Sequence, residues 1–183
     1  LINVRTDQGF AVNPTLATCL NNPVQLQASG GDLYSWTPAG SLTDPTIANP
    51  DANPLTTTNY TVNITDTICG LTTSLTTTVQ VKPLPVIVAS RSNDIDCSIS
   101  NSRLNANGGS SYRWTPASSL SNPQIANPLA TPLVTTTYVV TGSDGFGCSN
   151  KDSVIVKVSA DNKALYQMPS AFTPNNDGLN DCF

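Results

Sequence analysis

Five cysteines are the most reactive side chains in this chain of 183 residues, and four of them fall in a pattern. Cys19 and Cys97 stand 78 positions apart, and Cys69 and Cys148 follow them by 50 and 51 residues. Thiolate metal sites call for CxxC pairs or histidine partners, and the sequence has neither pair nor any His. Disulfides within each repeat, Cys19 to Cys69 and Cys97 to Cys148, are therefore the expected chemistry. Closing a loop of about 50 residues constrains the unfolded chain by roughly 4 kcal/mol in the chain-entropy model. Such bonds persist outside a reducing cytoplasm, so an exported protein is expected, with Cys182 left without a visible mate.

The remaining chemistry is sparse. Glu is absent as well as His, which removes the commonest general bases and metal ligands. An enzyme would have to work with Asp, Ser, Tyr or Cys alone, and these form no catalytic constellation, so a non-enzymatic role is expected. Asp66 and Asp144 precede the second cysteine of each repeat and read as turn-stabilising side chains. A net charge of -4 with eight scattered Lys and Arg and a pI near 4.4 argue against a phosphate-binding surface. Near the end, Asn175, Asp177, the carbonyl of Leu179 and Asp181 alternate around Gly178. Oxygen ligands at that spacing can wrap calcium. Thr173 would take the first position of such a loop and the bidentate acid would lie past Phe183, so an Asx-rich turn without metal stands beside the calcium reading.

The elements that position these residues come from a repeat. Tyr34, Trp36, Thr37, Pro38 and the I-A-N-P of Ile47 to Pro50 recur as Tyr112, Trp114, Thr115, Pro116 and Ile125 to Pro128. Self-similarity at a fixed period marks an array of like units. Segments at Val24 to Ala28, Tyr60 to Ile64, Thr76 to Val81, Tyr138 to Thr141 and Val154 to Val158 alternate apolar with polar residues, the period of half-buried strands. Gly30-Gly31, Asn49-Pro50, Asn53-Pro54, Gly108-Gly109, Asn122-Pro123 and Asn127-Pro128 punctuate them. The expected fold is all-β, with tandem immunoglobulin-like sandwiches of about seven strands each.

The boundaries follow. Residues 1–6 read as the end of a preceding repeat or a linker, 7–83 as the first repeat, 84–160 as the second, and 161–183 as a linker with the start of a C-terminal domain. A Pro-containing joint at Pro83 to Pro85 ends a ladder. Starting at Leu1, the chain reads as a piece of a longer, processed protein. Tyr34 and Trp36 share a strand face, as do Tyr112 and Trp114; core packing is the expected role, with an aromatic platform for sugars as the sharper alternative. The Thr-rich stretch Thr72 to Thr78 is a candidate edge for a donated strand, against an edge protected by turns and Pro.

The tail P-S-A-F-T-P-N-N-D-G-L-N-D, Pro169 to Asp181, resembles the opening of the gliding-motility-associated C-terminal domain, the type B sorting domain of proteins exported by the type IX system of Bacteroidota. The Y-x-W-T-P, T-T-T-x-Y and G-C pattern resembles the Ig-like or PKD-like repeats that precede that domain in long cell-surface proteins. The resemblance implies export across the outer membrane, surface display of a stalk or adhesin, and as partners the type IX machinery and a PorP/SprF-type outer-membrane protein, with surface glycans as a further expected contact. In that family the sorting domain continues beyond Asp181. Asp66-Thr67-Ile68 and Asp152-Ser153-Val154 are similar to a short O-glycosylation signal of exported bacterial proteins, which makes Thr67 and Ser153 candidate acceptors beside their ordinary reading as turn and strand-edge residues. Two further functions stand beside the stalk: an accessory region of a polysaccharide-degrading enzyme, and a carbohydrate-binding module, which requires exposed Tyr34 and Trp36.

Overall fold

The computed structural model describes residues 9–96 and 98–159, and the chain divides into two compact units between Leu84 and Pro85. The first unit is built from eight strands: β1 (Ala11–Val12), β2 (Leu16–Cys19), β3 (Val24–Gln25), β4 (Ala28–Ser29), β5 (Leu33–Thr37), β6 (Asp51–Ala52), β7 (Thr58–Asp66) and β8 (Leu71–Lys82). One layer runs in the order β2-β8-β7-β5, with β2 parallel to β8 and the other pairs antiparallel. The facing layer comprises the pairs β1-β4 and β3-β6.

The period of two in the sequence places the core. Along β7, Tyr60, Val62 and Ile64 are fully buried while Asn59 and Asn63 face solvent, the alternation of a strand packed on one face. Leu26, Trp36, Ala52 and Val79 close the same cluster. Trp36 lies on β5 and donates its indole N–H to the carbonyl of Ile47 at 2.9 Å, so the largest ring in the core leaves no buried donor unpaired.

The second unit repeats this plan with β9 (Val88–Arg91), β10 (Ser102–Asn107), β11 (Ser111–Thr115), β12 (Leu129–Ala130), β13 (Thr136–Ser143) and β14 (Ser149–Val156). One layer is β12-β10-β9 and the other β11-β13-β14, all antiparallel. A parallel bridge from Ile95 to Val158 occupies the place of the β2-β8 pairing. Leu104, Trp114, Ala130, Tyr138, Val140 and Val156 form the core, and Trp114 donates to the carbonyl of Ile125 at 3.1 Å. Each unit is thus an all-β immunoglobulin-like sandwich, with a four-stranded layer facing two two-stranded pairs in the first and three strands facing three in the second.

The two interiors differ where volume is exchanged. Ile64 of the first unit corresponds to Gly142 of the second, and there Ile87 fills the space: a Cβ on Gly142 would lie 2.4 Å from Ile87 Cδ1. Gly108 has φ of 92°, and a Cβ on it would meet the carbonyl oxygen of Val86 at 1.8 Å. Glycine at that turn is a steric requirement.

Candidate functional site

Cys19, Asp66, Thr67, Cys69, Asp144 and Cys148 lie at the ends of the sandwiches, and the sheet register fixes which end each occupies. In the first unit Cys19 ends β2, where it pairs with Lys82 at the last residue of β8. Cys69 lies in the β7-β8 hairpin, between Asp66 and Leu71, which face each other at the first residue of β8. Leu71 and Lys82 are the two ends of a strand of 12 residues, about 36 Å apart at roughly 3.3 Å per residue step. A disulfide needs Cα atoms within about 7 Å.

The expected Cys19 to Cys69 bridge is therefore not formed. Cys19 is disulfide-bonded, while Cys69 carries a free thiol exposed to solvent. The sandwich of the first unit is closed without a sulfur link of its own. In the second unit Cys148 is disulfide-bonded and lies at the β13-β14 hairpin, beside the Ser143–Ser149 pair. Ile95, two residues before Cys97, bridges Val158 beyond the far end of β14. Cys97 itself lies outside the described residues, as do Cys182 and the candidate calcium ligands Asn175, Asp177, Leu179 and Asp181.

The hairpin carrying each second cysteine is built by the aspartate that opens it. Asp66 Oδ1 accepts the backbone N–H groups of Ile68 at 2.9 Å and Cys69 at 3.1 Å. Asp144 Oδ1 accepts those of Phe146 at 2.8 Å and Cys148 at 3.0 Å. Both carboxylates thus make the Asx turns expected of them. Across the first hairpin, Asp32 accepts the N–H of Thr67 at 2.9 Å and also its hydroxyl. Thr67 is exposed, but its hydroxyl is engaged in this turn. Ser153 is exposed on β14, flanked by the buried Val154. Its neighbour Asp152 accepts the N–H of Ala89 at 2.7 Å. That hydrogen bond, with a second from the Ser153 backbone, holds the Asp152 carboxyl below the usual carboxylate range.

The aromatic platform does not form. Trp36 and Trp114 are 1% and 0% exposed, so neither ring offers a face for sugar stacking. Tyr34 and Tyr112 are half-buried, and their hydroxyls donate to the carbonyls of Gly31 at 2.9 Å and Gly109 at 2.7 Å. Alternation put the paired rings on one face, and that face points into the core. The module reading that required exposed Tyr34 and Trp36 is set aside on this ground. In the second unit a shallow groove of about 350 Å³ is lined by Pro116, Ser119, Thr131, Leu133, Val134 and Thr136, among others, without an aromatic ring. Sequence reasoning had not marked it, because its walls come from loop residues that follow no period.

Among the described residues no group of three or more Cys, Asp or Glu side chains is arranged to hold a metal ion, and no helix is long and apolar enough to cross a membrane. The Thr-rich edge is placed by the register: Thr72 to Thr78 pair with β7 on one side, and β2 joins β8 on its other side only from Val79 onward.

The sequence matches no family model and no curated protein. Among solved structures it is similar to a titin I-band fragment, I67–I69, at 14% identity, covering 82% of this chain and 65% of that one with a TM-score of 0.39. Extracellular domains 3–5 of Drosophila OTK match at 12% identity over 82% of this chain and 62% of that one, with a TM-score of 0.39. The fibronectin(III)-like modules of Clostridium thermocellum CbhA match at 10% identity, 82% and 95% coverage, and a TM-score of 0.38. The chain spans 38% of the human desmocollin-1 ectodomain and 65% of the titin fragment. The fold of each unit rests on its own strand pairing and core.

Proposed function

We propose that this chain is a non-enzymatic repeat segment of a secreted cell-surface protein, a stalk or adhesin whose sandwiches act as stiff spacers. The observation that carries the reading is the recurrence of one interior in two copies: the indole bond of Trp36 to Ile47 returns as Trp114 to Ile125, and the Ser41–Tyr60 contact as Ser119–Tyr138. Repetition of a core, with the aromatic rings turned inward, suits a bead whose work is mechanical. Oxidised Cys19 and Cys148 support an extracellular location.

The segment Met168 to Asp181 supplies the address. Its likeness to a type B sorting domain supports export by the type IX system and retention by a PorP/SprF-type outer-membrane protein. The hydroxyl-rich, weakly charged surface suits contact with surface glycans, and Thr67 and Ser153 are the positions offered for O-glycosylation. Surface display of the protein that carries this chain tests the address. In a type IX-competent cell, removing residues 168–181 is expected to abolish proteinase sensitivity of the repeats on intact cells; undiminished surface cleavage would overturn the export reading.

A further inference from the structure

We propose that the exposed edge of β8 in the first unit, Thr72 to Thr76, pairs with the same edge of a second copy of this chain, the two strands running antiparallel about a two-fold axis at Ser74. The inference concerns the first unit alone and goes beyond the spacer reading, on which it does not depend.

Two hydrogen bonds near the end of β8 fix the direction of its backbone groups. Val81 donates its N–H to Thr57 Oγ1 at 3.2 Å, on the β7 side, and the Lys82 carbonyl accepts from Leu20 at 2.9 Å, on the β2 side. Successive residues of an antiparallel strand turn these groups to opposite sides, so Thr72, Ser74 and Thr76 direct theirs away from β7. β2 reaches β8 only from Val79 onward, and among the described residues no strand lies beside those three. Their side chains are exposed, and from Thr67 to Val81 the chain has no charged residue and no Pro. A strand edge with neither device is a template for another strand. The second unit closes the same edge. Val154 lies opposite Tyr138 as Thr77 lies opposite Tyr60, which makes Lys151 the counterpart of Ser74. There Asn150 Oδ1 takes the Lys151 N–H at 2.9 Å, and the Asn150 amide donates to the Pro85 carbonyl at 3.1 Å. The exposed Lys151 side chain adds a charge to that edge.

The occupant follows from how the open stretch matches itself, as a two-fold contact requires. With Ser74 opposite Ser74, Thr72 meets Thr76 and Thr76 meets Thr72, and each of these pairs exchanges both its N–H···O=C bonds. Every outward donor and acceptor of the three residues is then satisfied by the identical stretch. The same register keeps core-side residues together, Thr73 against Leu75, and sets hydroxyl against hydroxyl on the outer face, pairs that are favourable across strands. No charge meets its like, whereas the same pairing in the second unit would oppose Lys151 to Lys151. The partner's stretch ends before Val79, where β2 begins to occupy the edge.

The test is a charge swap across the axis in the full chain, with free thiols blocked by iodoacetamide so that no new disulfide contributes. Sedimentation velocity of the parent is expected to show a monomer–dimer equilibrium between about 10 μM and about 1 mM. Ser74→Lys sets two cations across the axis and Ser74→Asp two anions, and each alone is expected to raise the dimer dissociation constant about tenfold or more. Mixing the two variants sets opposite charges across the axis and should restore association, as a heterodimer. Ser74 is exposed, and near-ultraviolet circular dichroism of the buried Trp residues confirms that each variant is folded. A parent that stays monomeric over the whole range sinks the proposal. So does a dimer indifferent to both substitutions, or one that the mixture of folded variants fails to restore.

Discussion

At the scale of single residues the chain uses short polar side chains as local braces, and Asp152 shows what one contributes. Its carboxylate accepts the N–H of Ala89 across 63 positions of sequence and is held below its ordinary value chiefly by that bond and then by the Ser153 backbone. A carboxyl whose folded value is depressed adds stability that is fully present above its unfolded value of about 3.9 and is lost as pH falls through the folded value. Asp94, lowered first by the Arg91 side chain and then by the Lys157 backbone, acts in the same direction. Asp152→Asn is therefore expected to lower stability at neutral pH and to flatten the acid limb of the stability curve below about pH 4. Urea unfolding across pH 2 to 7 checks this. A constant gap between the two proteins at every pH would show that the charge has no part in it.

Individual residues were legible in the sequence to the extent that their chemistry acts locally. Asp66 and Asp144 brace the turn that follows them, so their roles could be seen within three or four positions. Trp36 and Trp114 were legible as core because a large ring two positions from another on a strand has one apolar face to share. The bond from Asp152 to Ala89 left no sequence signal, since nothing local links the two.

The elements follow from the period of two, and the repeat lets one unit act as a control for the other. The expected strands at Tyr60 to Ile64 and Tyr138 to Thr141 lie inside β7 and β13. The stretch Val24 to Ala28 is divided between β3 and β4, which pair with different strands around the buried Leu26. Alternation shows which residues face inward but not which neighbour a strand chooses, so that division was hidden. The exchange of Ile64 for Gly142 is a second hidden feature. Its compensation by Ile87 comes from a segment 55 positions away. Restoring the first unit's residue, Gly142→Ile, should overpack the core and cost about 1–3 kcal/mol. Ile87→Ala alone should cost about 2–5 kcal/mol through the cavity it leaves. Together they should cost less than their sum by about 0.5–3 kcal/mol, since each relieves the other. Guanidinium unfolding of the four proteins of this cycle measures the coupling; strictly additive losses would mean that the two side chains do not compete for one space.

For the whole chain, the fold class was legible and the place of Cys69 in the covalent plan was not. Two repeats, turn signals at matching places and a shared aromatic pattern were enough to expect two sandwiches. The spacing of 50 residues between cysteines looked like the loop that a bridge would close, but sequence distance carries no information about which end of a sheet a residue reaches. Cys19 ends a strand at the Lys82 end of β8, and Cys69 sits in the hairpin at the Leu71 end. No bridge between Cys19 and Cys69 then adds to the stability of the first unit. Cys69→Ser should accordingly leave its unfolding free energy within about 0.5 kcal/mol of the parent, the range of a surface substitution. A bridge closing some 50 residues would instead have taken roughly 4 kcal/mol with it. The single Trp of each unit lets the two transitions be followed separately: with Trp114→Phe in the background, fluorescence reports the first unit alone, and the midpoint of its denaturant transition decides between the two magnitudes.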